Sequence, residues 1–172
     1  MRHRNVTAAL AALVLGLAAG AAQGQEGSNF ISRFEGSFEG SGTIITDRLP
    51  RPTSVDCDLQ GTQQGQNGFR LAGTCTALLI FSRDIGAELT YDPASEIFSG
   101  VYTGPRSGPA QLSGARNGDV LELEITWGRE IFGDNRATMR IENVGAGTFR
   151  MSVIDQIQGR AVETSSLIFQ RA

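Results

Sequence analysis

The chain has 172 residues, 40% of them hydrophobic and 19% charged, and its net charge at neutral pH is −3. This acidic balance argues against nucleic acid or an anionic membrane surface as a partner. The sequence contains no lysine and a single histidine, His3. A Schiff-base lysine is therefore excluded, and any catalytic or metal site that needs histidine depends on this one residue.

The first 24 residues have the composition of a cleavable secretory signal. His3 lies between two arginines, an uncharged run follows at 7–22, and small residues come next. The run is shorter than the roughly 20 apolar residues of a spanning helix, so the pattern predicts a signal peptide at 1–24. We expect cleavage after Gly24, or else after Ala21 or Ala22, and a periplasmic or secreted protein.

Cleavage at this point would change the chemistry open to the protein. It removes His3 and two arginines, so the net charge moves from −3 to −5. Serine–histidine and cysteine–histidine catalysis, histidine zinc sites and haem ligation by histidine are then all excluded. Residues 25–172 are a normal length for one domain. We expect a loose N-terminal arm at 25–30 and one domain at 31–172.

From residue 34 onward, short runs of alternating apolar and polar residues are separated by turn residues. Asn117 and Gly118 form the strongest single hairpin signal. Outside the signal peptide, no long window keeps a helical period. The predicted strands are 34–46, 53–63, 69–79, 84–91, 96–104, 108–115, 119–128, 135–143, 147–156 and 161–170.

About ten short strands joined by tight turns predict an all-β, antiparallel up-and-down β-barrel. An open sheet of this size would leave two unpaired edges and an uncovered apolar face. Closing the sheet into a barrel pairs the edges and buries the apolar face. A two-sheet β-sandwich is the alternative. Each strand carries charges on its second face, whereas a membrane barrel needs an apolar outer face, so we expect no membrane insertion.

Glycines recur on one face of the first predicted strand. Gly36, Gly40 and Gly42 alternate with glutamate and serine, and they share their face with Phe34 and Phe38. Glycine weakens an ordinary strand, but it permits the strong bend that closing a barrel requires. We interpret the pattern as phenylalanine side chains alternating with glycines, which have no side chain, on the inner face of a small barrel.

The two cysteines, Cys57 and Cys75, are equidistant from Gln66 in a turn-rich segment. In a hairpin around that turn they lie opposite one another, and an exported chain meets an oxidising compartment. We therefore expect a cross-strand disulfide, with two buried free thiols as the alternative. A metal pair lacks further soft ligands, and we expect neither a metal nor a cofactor.

Six large side chains on predicted strands are candidates to line a cavity for an apolar ligand. The alternative is that they fill the barrel and leave no room. These residues are Phe38, Phe98, Tyr102, Trp127, Met139 and Met151.

Two pairs of carboxylates could be mistaken for a calcium or acid–base site. Asp56 and Asp58 flank a cysteine, and Glu122 and Glu124 lie two residues apart. Calcium needs six to eight convergent oxygens, and no loop has that pattern. We interpret both pairs as solvated surface and assign no catalytic residue.

Several short motifs give the chain a resemblance to a known group. They are GxFxGxG on the first strand, VDCDL and LAGTC on the next two, and then FSGVYTG and AQLSG. With these the chain resembles the small, mostly uncharacterised exported β-barrel proteins of alphaproteobacteria, and more loosely the lipocalin and calycin barrels. The resemblance implies a barrel and an exported compartment, without naming a ligand.

These observations favour a binding protein over an enzyme. In one hypothesis the barrel carries a small apolar ligand. In the other the barrel is solid and acts through its surface or its arm, QEGSNFISR, on an envelope protein, as small exported protease inhibitors do. An enzyme is the third hypothesis, and it would have to use carboxylates, tyrosine or arginine alone.

Overall fold

The computed structural model describes residues 29–47, 51–105 and 107–172. The predicted signal peptide, its cleavage site and residues 25–28 of the predicted arm lie outside the described residues.

Ten antiparallel strands form one closed barrel. Each strand pairs with its neighbours in chain order, and the last strand pairs with the first, which closes the sheet. The up-and-down barrel is thus confirmed over the sandwich, and every strand end lies within three residues of its prediction. The strands are β1 (Gly36–Ile44), β2 (Thr53–Gln64), β3 (Gly68–Ala77), β4 (Phe81–Asp92), β5 (Ile97–Thr103), β6 (Ala110–Asn117), β7 (Val120–Ile131), β8 (Asp134–Gly145), β9 (Thr148–Ile157) and β10 (Arg160–Arg171).

Alternation along each strand separates an apolar interior from a charged exterior. In β7, Leu121, Leu123 and Ile125 are fully buried, while Glu122 and Glu124 between them are exposed. Both glutamates form ion pairs with arginines of β8 on the outer surface. Exposed pairs of this kind contribute about 0–1 kcal/mol each, so the buried face supplies most of the stability.

The predicted disulfide is confirmed, and it lies on the inner face of the wall. Cys57 of β2 and Cys75 of β3 are directly opposite each other in the ladder and are bonded. Cys57 is buried and Cys75 is half-buried. The bond therefore ties two neighbouring strands from the inside of the barrel.

The inner-face glycines are sites where a neighbouring strand lies very close. A Cβ added at Gly100 would overlap the carbonyl oxygen of Glu88, and one added at Gly114 would overlap that of Glu122. At Gly40 the added atom would instead overlap the ring of Phe169. The strands coil so strongly at these positions that only glycine leaves room for the adjacent chain.

An aromatic cluster closes one end of the barrel, which we call the closed end. A helical turn at residues 29–31 leads into a 3-10 helix at Ser32–Phe34. The rings of Phe30 and Phe34 enter the barrel there, and Phe34 stacks on Phe69 with ring centroids 5.1 Å apart. The other members of the cluster are Phe38, Phe98, Phe149 and Phe169.

This packing differs from two sequence expectations at the N-terminus. The sequence predicts Phe30 in the loose arm, but its ring is fully buried in the aromatic cluster. The sequence predicts Phe34 in the first strand, but it lies in the 3-10 helix, and β1 begins after it at Gly36. Burial of the two phenyl rings outweighs the strand-like alternation of this segment. Within the described residues, no helix has both the length and the apolar character needed to cross a membrane.

The close approach at Gly114 predicts that alanine is not tolerated there. We expect Gly114→Ala to lower the free energy of unfolding by about 1–3 kcal/mol, because the added methyl group forces two strands apart. The control is Gly86→Ala on the outer face, where the nearest atom to the new Cβ is the Thr103 hydroxyl at 3.0 Å. Urea unfolding compares the two variants, and equal losses would contradict the account.

Candidate functional site

A cavity of about 660 Å³ occupies the barrel at the end opposite the aromatic cluster, which we call the open end. This volume lies within the range of small-molecule sites, which is roughly 300–1,000 Å³. Val55, Ala77 and Leu167 form part of its wall, together with Cys75 of the disulfide. The cavity is therefore largely apolar. On the side of the closed end it is bounded by the packed half of the barrel.

Three of the six predicted lining residues are on the wall of this cavity. Tyr102, Trp127 and Met151 line it. Phe38, Phe98 and Met139 do not, and this corrects the prediction for these three. Their side chains also point inward, but they lie in the packed half of the barrel, where each is at most 1% exposed.

One charged group is buried in the cavity wall. Asp155 follows Met151 and Val153 on the inner face of β9, and it is only 3% exposed. Across from it, β10 has a bulge in which Thr164 is an extra residue between paired Glu163 and Ser165. The bulge turns Thr164 inward, and its hydroxyl donates a hydrogen bond to Oδ2 of Asp155.

Among the described residues, neither the other carboxyl oxygen of Asp155 nor Nε1 of Trp127 has a hydrogen-bond partner of normal geometry. The indole N–H is close enough to the carboxyl to act on its pKa, but the geometry is not that of a good hydrogen bond. Burial raises the pKa of Asp155, and the Thr164 and Trp127 side chains partly offset this rise. Asp134, at the start of β8, raises the pKa of Asp155 further.

Aromatic side chains form the wall beside this carboxyl. The rings of Tyr102 and Trp127 are tilted, with centroids 6.3 Å apart. Burial raises the pKa of Tyr102 above its ordinary value of 10.0, so the phenol stays neutral at physiological pH. Both residues line the cavity.

An exposed apolar hairpin tip borders the open end. The turn between β3 and β4 presents four large hydrophobic residues, Leu78 to Phe81, and Leu79 is 89% exposed. Leu78, Ile80 and Phe81 also line the cavity. The sequence prediction extended the third strand through Leu79, although residues 78 and 79 have positive φ and form the turn. Four consecutive large apolar residues without alternation were the signal that could have revealed it.

Ionic and polar contacts hold other parts of the rim. Arg129 of β7 forms an ion pair with Asp47 at 3.1 Å, which joins the end of β7 to the segment that follows β1. Arg83 donates a hydrogen bond to the carbonyl of Gly104 at 3.1 Å. These contacts fix the rim between strands that are not paired there.

Within residues 29–47, 51–105 and 107–172, the structure brings together no group of acidic side chains that would bind a metal. In the part of the chain that it describes, no three histidine, cysteine or acidic residues are placed to share an ion. Asp56, Asp58, Glu122 and Glu124 are exposed on the outer face of the barrel. The cavity with its single buried carboxylate is therefore the candidate site.

Comparison with known proteins supports the fold. No family model and no curated protein matches the sequence. The crystal structure of Rv2717c from M. tuberculosis is similar, with a TM-score of 0.65 and 16% identity. The match covers 84% of this chain and 96% of that chain. The fold therefore defines this protein as a closed ten-stranded barrel.

The raised pKa of Asp155 predicts a pH dependence of stability. The folded protein holds the Asp155 proton more tightly than the unfolded chain does, so the free energy of unfolding falls as pH rises from about 4 through the folded pKa. We expect Asp155→Asn to lack this fall. Its stability relative to wild type should increase with pH across that window and be constant below it.

Chemical unfolding of both proteins at a series of pH values measures this difference. Surface carboxylates titrate alike in the two proteins and cancel. A difference that does not change with pH would contradict the burial of the carboxyl.

Proposed function

We propose that this protein is a non-catalytic binding protein that carries a small apolar ligand inside its barrel. The observation that carries the proposal is the cavity of about 660 Å³, open at one end and walled by aliphatic and aromatic side chains. Transfer of an apolar molecule from water into such a wall is favourable by about 25 cal/mol per Å² of buried surface. The cavity is large enough to cover most of a small ligand.

The apolar hairpin tip supports the same function from outside. Its residues are continuous with the cavity wall, so an apolar molecule would meet hydrophobic side chains before it enters. The tip is also the observation that favours the second candidate function, in which an envelope protein binds the barrel surface. The cavity gives the carrier the stronger support, since a barrel that acts only through its surface has no need of an internal space.

The N-terminal arm has less support as the part that binds a partner. Phe30 and Ile31 are both buried at the closed end, so neither side chain is available to another protein. The carrier hypothesis does not need the arm.

The disulfide supports export. Disulfides persist in oxidising compartments and are rare in the cytosol. The Cys57–Cys75 bond therefore fits a periplasmic or secreted protein, in agreement with the signal peptide that the sequence predicts.

A single substitution can occupy part of the cavity. Ala77, the last residue of β3, lines the cavity, and we expect Ala77→Phe to occupy part of it and to weaken ligand binding at least tenfold. The matched control is Ala115→Phe, which makes the same change at an exposed position of β6. The probe is the apolar fluorophore N-phenylnaphthylamine, whose emission rises in an apolar site.

A second signal comes from the protein itself. Trp127 is the only tryptophan of the chain and lines the cavity, so its fluorescence should change as the probe binds. Far-ultraviolet circular dichroism checks that both variants are folded. Equal binding by wild type, Ala77→Phe and Ala115→Phe would place the probe outside the barrel and overturn the carrier function.

A further inference from the structure

The hairpin tip between β3 and β4, Leu78 to Phe81, carries the longest run of exposed apolar side chains in the part of the chain that the structure describes. Its four side chains are 59% to 89% exposed. The other exposed large hydrophobic residues lie singly in the sequence, and they are Ile97, Val144 and Ile168. Single exposed hydrophobic residues are normal, whereas a contiguous exposed patch marks an interaction site.

The backbone of this tip does not favour leucine. Leu78 and Leu79 both have positive φ, 53° and 63°. Bulky residues are unfavourable in this left-handed region, which glycine and asparagine enter most easily. The β6–β7 hairpin has that preferred chemistry, with Asn117 followed by Gly118 at its turn. Because the two leucines weaken their own turn and bury little surface, the fold gives no reason for their presence.

Polar groups at the end of this hairpin are bonded within the hairpin. The Ile80 N–H donates a hydrogen bond to the carbonyl of Ala77 at 3.3 Å. Below the turn, the hydroxyls of Thr76 and Ser82 are hydrogen-bonded to each other at 2.9 Å. Lipid tails offer no partner to polar groups, so a segment enters lipid more easily when its polar groups are bonded internally. These bonds lower the cost of moving the hairpin end out of water.

The hairpin end is also uncharged. No acidic or basic residue occurs in residues 71–82, and the first charged residues along β4 are Arg83 and Asp84, which have opposite signs. The tip therefore gives little electrostatic attraction to a charged surface. The net charge of the chain, −3, opposes binding to an anionic bilayer. A bilayer with zwitterionic headgroups matches this charge distribution best.

The size of the tip decides between a bilayer and another protein chain. A stable protein–protein interface uses about 20–30 residues on each side. The tip presents four, and the neighbouring apolar residues of the rim, such as Ile45 and Phe132, are half-buried. A bilayer needs no matching surface and can surround a small apolar tip on all sides. The tip is therefore too small for a second copy of this chain and well suited to lipid.

We propose that the tip inserts into the headgroup region of a zwitterionic lipid bilayer, so that the open end of the barrel faces the lipid. Leu78, Ile80 and Phe81 also line the cavity, which places the cavity mouth at the lipid surface. The contact is peripheral, because exposed charges such as Glu122 and Glu124 cover the outer face of the barrel. This inference goes beyond the carrier function and does not depend on it, since the tip is exposed whether or not the cavity is occupied.

The test is flotation of the purified protein with phosphatidylcholine vesicles in a density gradient. Wild-type protein should float with the vesicles, and the bound fraction at a series of lipid concentrations gives the partition coefficient. We expect Leu79→Asp to lower this coefficient by about tenfold or more, because a carboxylate resists transfer into lipid. The matched control is Val144→Asp at the closed end, where residue 144 is 53% exposed. This control makes the same change in charge and should leave the coefficient unchanged.

A second variant separates vesicle binding from folding. The double variant Leu78→Asn, Leu79→Gly places at the tip the residues that its backbone conformation favours. It should unfold at a higher urea concentration than wild type and yet bind vesicles as weakly as Leu79→Asp does. A purely structural role for the two leucines predicts the opposite, which is a loss of stability with vesicle binding retained.

Several outcomes would overturn the inference. If wild-type protein does not float, or if Leu79→Asp floats equally well, the tip is not a lipid contact. Binding that needs phosphatidylglycerol and is lost at about 1 M salt would assign it to electrostatic attraction. A wild-type dimer in analytical ultracentrifugation that Leu79→Asp converts to a monomer would identify a second copy of the chain as the occupant. Fluorophore binding in the cavity is measured separately, so the docking can fail while the carrier function stands.

Discussion

Closure of the sheet is the constraint on which the rest of this structure depends. The chain has no long helix among its described residues to cover a sheet face, and it buries the apolar side of its ten strands by curling the sheet onto itself. The β1–β10 pairing completes that closure. Closure requires strongly bent and twisted strands. Because neighbouring backbones then come very close on the inner face, glycine is needed at those positions.

A ten-stranded barrel has a wider interior than an eight-stranded one, and here its side chains do not fill that interior evenly. Eight strands give an interior just wide enough for side chains, and the diameter grows with strand number. Here phenyl rings fill one half, including two from the N-terminal segment. The wall of the other half combines small residues such as Ala77 and Val55 with Tyr102 and Trp127, and it leaves a cavity. The cavity is thus a consequence of an uneven distribution of side-chain volume along one closed wall.

The buried carboxylate distinguishes this cavity from the packed half of the barrel. A solid core would place an aliphatic residue at position 155, because burial of an unsatisfied charge is unfavourable. Instead the β10 bulge places a threonine hydroxyl beside Asp155, and one oxygen remains unpartnered. Such a group calls for an explanation, which in other proteins is an ordered water, a bound ion, stored strain or a catalytic role.

The local features of this fold were predictable from the sequence. Strand positions follow from alternation and turn residues, and the disulfide follows from the symmetric spacing of Cys57 and Cys75 about one turn. The phase of the alternation also predicts which side chains point inward. It carries no information on depth along the barrel axis, so Phe38 and Trp127 looked equivalent although they lie in different halves.

Other features of the site depend on contacts between distant segments. The bulge at Thr164 arises from the register of two strands, and no turn residue marks it in the sequence. Asp155 did give a readable signal, since it continues the apolar phase of Met151 and Val153. An acidic residue at a position of the apolar face indicates either an exposed strand end or a buried site. In the closed barrel Asp155 is buried.

Native mass spectrometry tests the central claim most directly. The protein is purified without denaturation from the cells that make it, incubated with a total lipid extract of those cells, and measured beside Ala77→Phe treated in the same way. The account predicts one equivalent of bound mass on the wild-type protein, released on denaturation and absent from the variant. A bare wild-type mass, or equal bound mass on both proteins, would contradict a ligand inside the barrel.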